Sequence, residues 1–145
     1  MHIRQAALAD VETAAEIALL LWPSHTLEEL TGEMAGLLCG EDSAIFLAEE
    51  KNRAVAFSHC SLRHDYVAGT HTSPVGYLEG IYVREGWRRQ GVGEALVRRC
   101  ETWARQRGCR EMASDCELFN EESLAFHLGA GFSEVNRTIS FVKPL

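Results

Sequence analysis

The sequence has no uninterrupted apolar stretch longer than the six residues Ile17–Trp22, far short of the ~20 needed for a membrane-spanning helix. Its start, Met1-His2-Ile3-Arg4-Gln5, leads into acids at Asp10 and Glu12, so a secretory signal layout is missing and a cytoplasmic location is expected. No Pro/Gly/Ser-rich linker, internal repeat or low-complexity tract divides the 145 residues, a length that supports one domain with one core, expected over residues 1–145. The five cysteines (Cys39, Cys60, Cys100, Cys109 and Cys116) are odd in number and lack Cys-x-x-Cys spacing, which speaks against a disulfide framework. The six histidines show no paired ligand spacing with them, so no metal site is expected. All five cysteines read as small core or surface residues.

What is present is ordinary in amount and uneven in place. Hydrophobic residues make up 46% and charged residues 24%, the composition of a globular protein. Between Arg84 and Arg110 eight arginines face three acids, a local balance of +5. The rest of the chain carries six basic and 18 acidic side chains, so the net charge is −7. A nucleic-acid binder would be basic overall. One basic segment in an acidic chain suits a small anionic ligand held at one place, with a cationic one nearby. An arginine-rich solvated helix face would give the same count.

Hydrophobic periodicity and turn residues order the elements. His2–Gln5 alternates as a strand, and Asp10 is placed to cap a helix through Leu21 that Pro23 stops. Thr26-Leu27-Glu28-Glu29 reads as a capping box for a second helix with Leu27, Leu30, Met34, Leu37 and Leu38 inward. Two strands follow at Ala44–Ala48 and Val55–Leu62 around Lys51-Asn52, then a long loop from Arg63 to Val75. Gly76–Val83 is a strand, Gly91 to about Arg107 a helix ended by Gly108, and Arg110–Asp115 a strand. A helix over Asn120–Leu128 and one or two closing strands in Phe132–Val142 complete the chain. The order predicts an α/β domain whose partly antiparallel sheet contains a parallel βαβ unit in its second half.

Arg88-Arg89-Gln90-Gly91-Val92-Gly93 lies between the strand and helix of that unit. Two glycines allow close backbone approach, and a helix N-terminus offers unpaired N–H groups to an anion. A plain tight turn would carry the same residues. It is not a Walker loop, lacking Gly-Lys-Ser/Thr, nor a dinucleotide fingerprint, lacking the third glycine.

Arg88-x-x-Gly91-x-Gly93 resembles the acetyl-CoA pyrophosphate loop of the GCN5-related N-acetyltransferase (GNAT) superfamily. Asn120-Glu-Glu-Ser123-Leu-Ala-Phe126-His127, followed by Gly131-Phe132, resembles that superfamily's Asn-x-x-Ala-x-x-x-Tyr…Gly-Phe segment. Leu21-Trp22-Pro23-Ser24-His25, Ser61-Leu62-Arg63-His64-Asp65-Tyr66-Val67, Thr72-Ser73-Pro74-Val75, Leu78-Glu79-Gly80-Ile81 and Met112-Ala113-Ser114-Asp115 resemble one branch of the aminoglycoside 6′-N-acetyltransferases. Two departures stand out: Ala68 where related sequences commonly have Asn, and Asn136 where they have an acid.

The resemblance implies a single-domain GNAT fold: a mixed, mostly antiparallel sheet with a splayed parallel strand pair and flanking helices. It implies acetyl transfer from acetyl-CoA, as co-substrate, to the 6′-amine of an aminoglycoside by direct attack in a ternary complex, conferring antibiotic resistance. Cofactor contacts then fall on Ile81, Val83, Arg88, Arg89, Gln90, Gly91, Val92, Gly93, Glu94 and Asn120. Asp115 is expected as base, with Glu79 orienting the substrate or sharing the proton path, and His127 as acid where the superfamily has tyrosine. Trp22, His25, Tyr66 and Asn136 join the two carboxylates as acceptor contacts, and a homodimer is implied. Read without the resemblance, Trp22 packs the core, Asn120 caps a helix, His127 is structural, and one carboxylate is a strand-end charge. The acidic balance also suits another polyamine or a protein amine as acceptor.

Overall fold

Alternation of large apolar residues on two faces builds the sheet first. In the computed structural model, which describes residues 1–145, β2 (Ser43–Glu50) directs Ala44, Phe46 and Ala48 to one side and Ile45 and Leu47 to the other. Both sides are covered, which is why the strand reads as a continuous apolar run. β1 (His2–Gln5), β3 (Arg53–Arg63), β4 (Val75–Val83) and β5 (Met112–Ser114) complete a sheet of order β1-β2-β3-β4-β5. Pairing is antiparallel except between β4 and β5. Lys51 and Asn52, at φ 50° and 61°, make the tight turn that joins β2 to β3.

α1 (Val11–Leu21) and α2 (Leu27–Cys39) cover one face, burying Ile17, Leu30 and Met34 against Ile45, Leu47 and Phe57. α3 (Val92–Gln106) covers the other with Leu96, Val97, Cys100 and Trp103. α4 (Glu121–Gly129) follows β5 and brings Phe126 against that second core.

Four expectations need correction. Asp10 makes no capping bond to α1; its carboxylate accepts from Ala7 N at 2.8 Å and pairs with Arg4, closing a 3-10 turn at Leu8–Asp10. In α2 Thr26 does cap Glu29 N, but Leu27 is exposed, and Leu30 and Met34 hold the buried face. The strand expected over Arg110–Asp115 shrinks to Met112–Ser114, so Asp115 lies just past its end. No strand forms in Phe132–Val142: alternation supplies a face, but a strand exists only as a pair, and this segment joins neither edge of the sheet. Instead Val135 lies against Gly69 in the loop between β3 and β4.

β4 contains the irregularity that shapes the site. His59 pairs with Gly80 and Cys60 with Leu78, so Glu79 is an extra residue with no partner across β3. Such a bulge reverses the alternation beyond it. Tyr77 and Glu79 keep to the α1 side with Gly80, while Leu78, Ile81 and Val83 pack on the α3 side.

Candidate active site

β4 and β5 are bonded only through Gly76–Met112, Tyr77–Ala113 and Leu78–Ser114. Beyond those pairs the strands part, leaving Gly80–Val83 paired on the β3 side alone. Ile81 and Val83 therefore lie on an open backbone edge, the place where an extended ligand adds like a strand.

At the end of that edge comes the glycine-bearing loop. Gly91 has φ 79° and caps α3, whose first turn receives no side-chain cap. The N–H groups of Val92, Gly93 and Glu94 consequently lack an intrahelical partner. A methyl group at Gly91 would meet nothing within 4 Å, so the space beside the loop is open. Arg89 also adopts a left-handed φ of 61°. Arg88 braces the loop, donating from Nε to Val83 O at 2.8 Å with its guanidinium over Tyr82, and Gln90 bonds Gly86 O. The close approach that Gly93 allows is to Phe126, whose ring carbon would lie 2.6 Å from a Cβ there. Asn120 caps α4 through Ser123 N at 3.0 Å. These features, an open strand edge leading to an uncapped helix N-terminus among arginines, fit an extended ligand that carries a diphosphate.

On the α1 side the carboxylates meet. Glu79 Oε1 accepts from Ser61 Oγ (2.6 Å), Arg63 Nε (3.0 Å) and Arg63 Nη2 (2.8 Å), and Oε2 accepts from Nη2 at 2.8 Å. The Arg63 guanidinium lies 3.7 Å above the Tyr77 ring centre. Tyr77 OH in turn donates a short hydrogen bond to Asp115 Oδ2. Burial and the Asp115 charge push the Tyr77 phenol above its ordinary range, so it remains a donor. Glu79 and Asp115, 36 residues apart in the chain, thus share one network across the parting strands.

Trp22, at the end of α1, stands over Gly80, with ring carbons 2.7 Å from where a Cβ would be, and meets Phe57 edge-on. It is half-buried and packs against the α1 side of the core. His59 lies on the same face, buried, with Nε2 unbonded; desolvation pushes its pKa down, which nearby Glu79 partly opposes.

His127 sits between Phe126 and Phe132. Its Nδ1 meets the Ser123 carbonyl at 2.7 Å, so that nitrogen carries a hydrogen. Nε2 lies 2.8 Å from Ser114 Oγ, which also reaches Leu78 O at 3.0 Å. The hydroxyl is therefore shared between His127 and β4 at the last bonded pair of the splay.

His25, Tyr66 and Asn136 stay outside these networks. His25 turns to Glu29 at 3.2 Å, Tyr66 is 82% exposed, and Asn136 lies on the strandless C-terminal segment. Sequence reasoning gave no role to Arg63, Tyr77, Ser61 or Ser114. Tyr77, two residues before Glu79 on one strand face, carried the available signal. Glu111 was missed too: its carboxylate accepts from His71 N and Thr72 N at 2.8 Å, holding the Tyr66 loop. Cys60, Cys100 and Cys109 are buried and Cys39 and Cys116 exposed, all as free thiols.

Residues 11–132 match the family described as acetyltransferase (GNAT) family. An aminoglycoside N(6')-acetyltransferase type 1 from Stenotrophomonas maltophilia is 44% identical over 99% of this chain and 93% of its own. The apo structure of the 6'-N-acetyltransferase AAC(6')-IG from Acinetobacter haemolyticus superposes with TM-score 0.95 at 40% identity, over 100% of this chain and 99% of that one. AAC(6')-Iy, solved with the bisubstrate analog CoA-S-monomethyl-acetylneamine, gives TM-score 0.95 at 35% identity over 99% and 98%. With the open strand edge, the uncapped α3 N-terminus and these likenesses in agreement, the chain belongs to the GNAT acetyltransferase family.

Proposed function

We propose that the protein transfers the acetyl group of acetyl-CoA to the 6′-amino group of aminoglycosides, by direct attack within a ternary complex, and so modifies these antibiotics and confers resistance. The observation that carries the acceptor assignment is the meeting of Glu79 and Asp115 through Tyr77 and Arg63 beside the parted strands. An anionic cleft of this kind suits an ammonium-bearing sugar, and the 44%-identical relative and the bisubstrate complex carry that chemistry in their names.

Acetyl-CoA supplies an activated acyl group. The first-turn N–H groups of Val92, Gly93 and Glu94, with Arg88, Arg89, Gln90 and Gly91, hold its diphosphate; main-chain groups of Ile81 and Val83 hold the pantetheine, with Asn120 alongside. Asp115 is exposed, and Tyr77 is the side chain that bonds it, at Oδ2. In this reading its remaining oxygen takes the proton of the acceptor amine. Glu79 orients the acceptor. His127 and Ser114 hold a mobile proton at the apex of the splay, where a leaving thiolate needs one. Trp22 offers the sugar an apolar wall, and His25, Tyr66 and Asn136 line its outer reach.

One N-acetyltransferase domain occupies residues 1–145 and acts in the cytoplasm; no helix is long and apolar enough to cross a membrane. A homodimer is part of this reading. Its support is the segment after Ser133, which places Ile139, Phe141 and Val142 in solvent at 79%, 91% and 95% exposure without a strand partner. Steady-state assays with kanamycin- and tobramycin-type acceptors test the activity. Turnover on drugs bearing a 6′-amine is expected; a folded protein that binds acetyl-CoA yet acetylates none of them rules out the substrate. Light scattering tests the dimer.

A further inference from the structure

A cleft meant for a polycation should not hold a cation of its own, and this one does. Arg63 sits on Glu79 with three contacts of 2.8–3.0 Å and covers the Tyr77 ring at 3.7 Å, so its guanidinium fills a carboxylate-plus-aromatic site of the kind that would receive a substrate ammonium. The Arg63 side chain is 44% exposed against 23% for Glu79, which places the arginine on the solvent side of the carboxylate. Ser61 Oγ bonds Glu79 Oε1 independently at 2.6 Å, so the carboxylate keeps its position without Arg63.

From this geometry we infer that Arg63 is an internal competitor for the acceptor subsite: it occupies Glu79 in the free protein and leaves when an acceptor ammonium takes its place. The inference rests on the reading of the Glu79–Asp115 cleft as the acceptor site. An ion pair this exposed is weak, so displacement is easy for a ligand that brings a second ammonium to Asp115. A monoamine brings its single, reacting nitrogen to Asp115 and leaves Arg63 where it is, whereas an acceptor that seats a further ammonium on Glu79 must outcompete an arginine tethered at high effective concentration. Arg63 is thereby a specificity-determining residue that narrows the advantage of polyamines over monoamines.

Two measurements test this. In Arg63→Gln the KM for kanamycin should fall about threefold to fivefold. The KM for the monoamine 6-amino-6-deoxyglucose should not change, and neither should the acetyl-CoA KM. In a Glu79→Gln background the same substitution should have no effect on acceptor KM. A rise in acceptor KM in Arg63→Gln would make Arg63 an ordinary positioning residue and overturn the inference. The second measurement uses the unmutated protein: the Arg63 Nε–H resonance should shift on saturation with kanamycin or with spermidine. A signal unmoved by either polyamine overturns the inference. One that moves with spermidine in a protein that acetylates no 6′-amine keeps the inference and removes the aminoglycoside reading.

Discussion

The two halves of β4 do opposite things with one backbone. Val75–Leu78 is buried, bonded to β3 on one side and, from Gly76 on, to β5 on the other; Glu79–Val83 is half-exposed, with Gly80–Val83 paired to β3 alone. The bulge at Glu79 falls at the junction, where it sets a carboxylate beside Tyr77 and turns Ile81 and Val83 toward the α3 side. The first half is stability and the second is an opening. Because they are continuous, the first half fixes where the second begins.

The largest effect should come from the residue just past β5. Asp115→Asn is expected to lower kcat by about a hundredfold or more, the range for losing a positioned base, with the acetyl-CoA KM held within a few-fold. Unchanged turnover would move the base to Glu79 or to water. The two halves can next be separated with matched glycines. A Cβ at Gly76 would lie 2.8 Å from the Cβ of Ala104 on α3, besides 2.5 Å from the movable Met112 Sδ. Gly76→Ala should therefore cost about 1–3 kcal/mol of stability by overpacking, read in urea melts. A Cβ at Gly80 would press on Trp22 at 2.7 Å. Gly80→Ala should raise the acceptor KM more than it alters acetyl-CoA binding. If the two variants have the same phenotype, the halves are not functionally distinct. Hydrogen exchange sharpens the point: acetyl-CoA should slow the amides of Glu79–Val83 by about tenfold and leave Val75–Leu78, already protected, unchanged.

How much of this was readable beforehand depends on whether a feature is local. The helices, the Lys51-Asn52 turn and the glycine-bearing loop before α3 follow from neighbours in sequence and formed where expected. The bulge did not announce itself, since a period-two reading of Tyr77-Leu78-Glu79-Gly80-Ile81 puts Ile81 on the face of Tyr77 and Glu79. Only pairing with β3 reverses it. Arg63 and Tyr77 were silent for a similar reason: each bonds a residue 16 or 38 positions away, a separation that periodicity does not see. Alternation after Phe132 predicts closing strands, but alternation does not bring its own partner.

The sheet's other edge supplies the smallest test. There β1 is pinned by charge. Arg4 donates to Asp10 with both terminal nitrogens at 2.8 Å and to Glu49 at 2.8 Å. Beside that guanidinium the Asp10 carboxyl is lowered from the ordinary 3.8 to about 2. A carboxyl whose pKa is lower folded than unfolded stabilises the native state fully above its unfolded value and loses that contribution as pH falls toward its folded one. Asp10→Asn should thus cost about 1 kcal/mol above pH ~5, discounted for the partly exposed Arg4. The gap from the unmutated protein should narrow between about pH 4 and pH 2, while kcat and both KM values at neutral pH stay unchanged. A gap that stays constant down to the acid limit would show that Asp10 acts through shape, not charge. A changed acceptor KM would mean that the far edge reaches the opening, and the division between a pinned edge and a working one would fail.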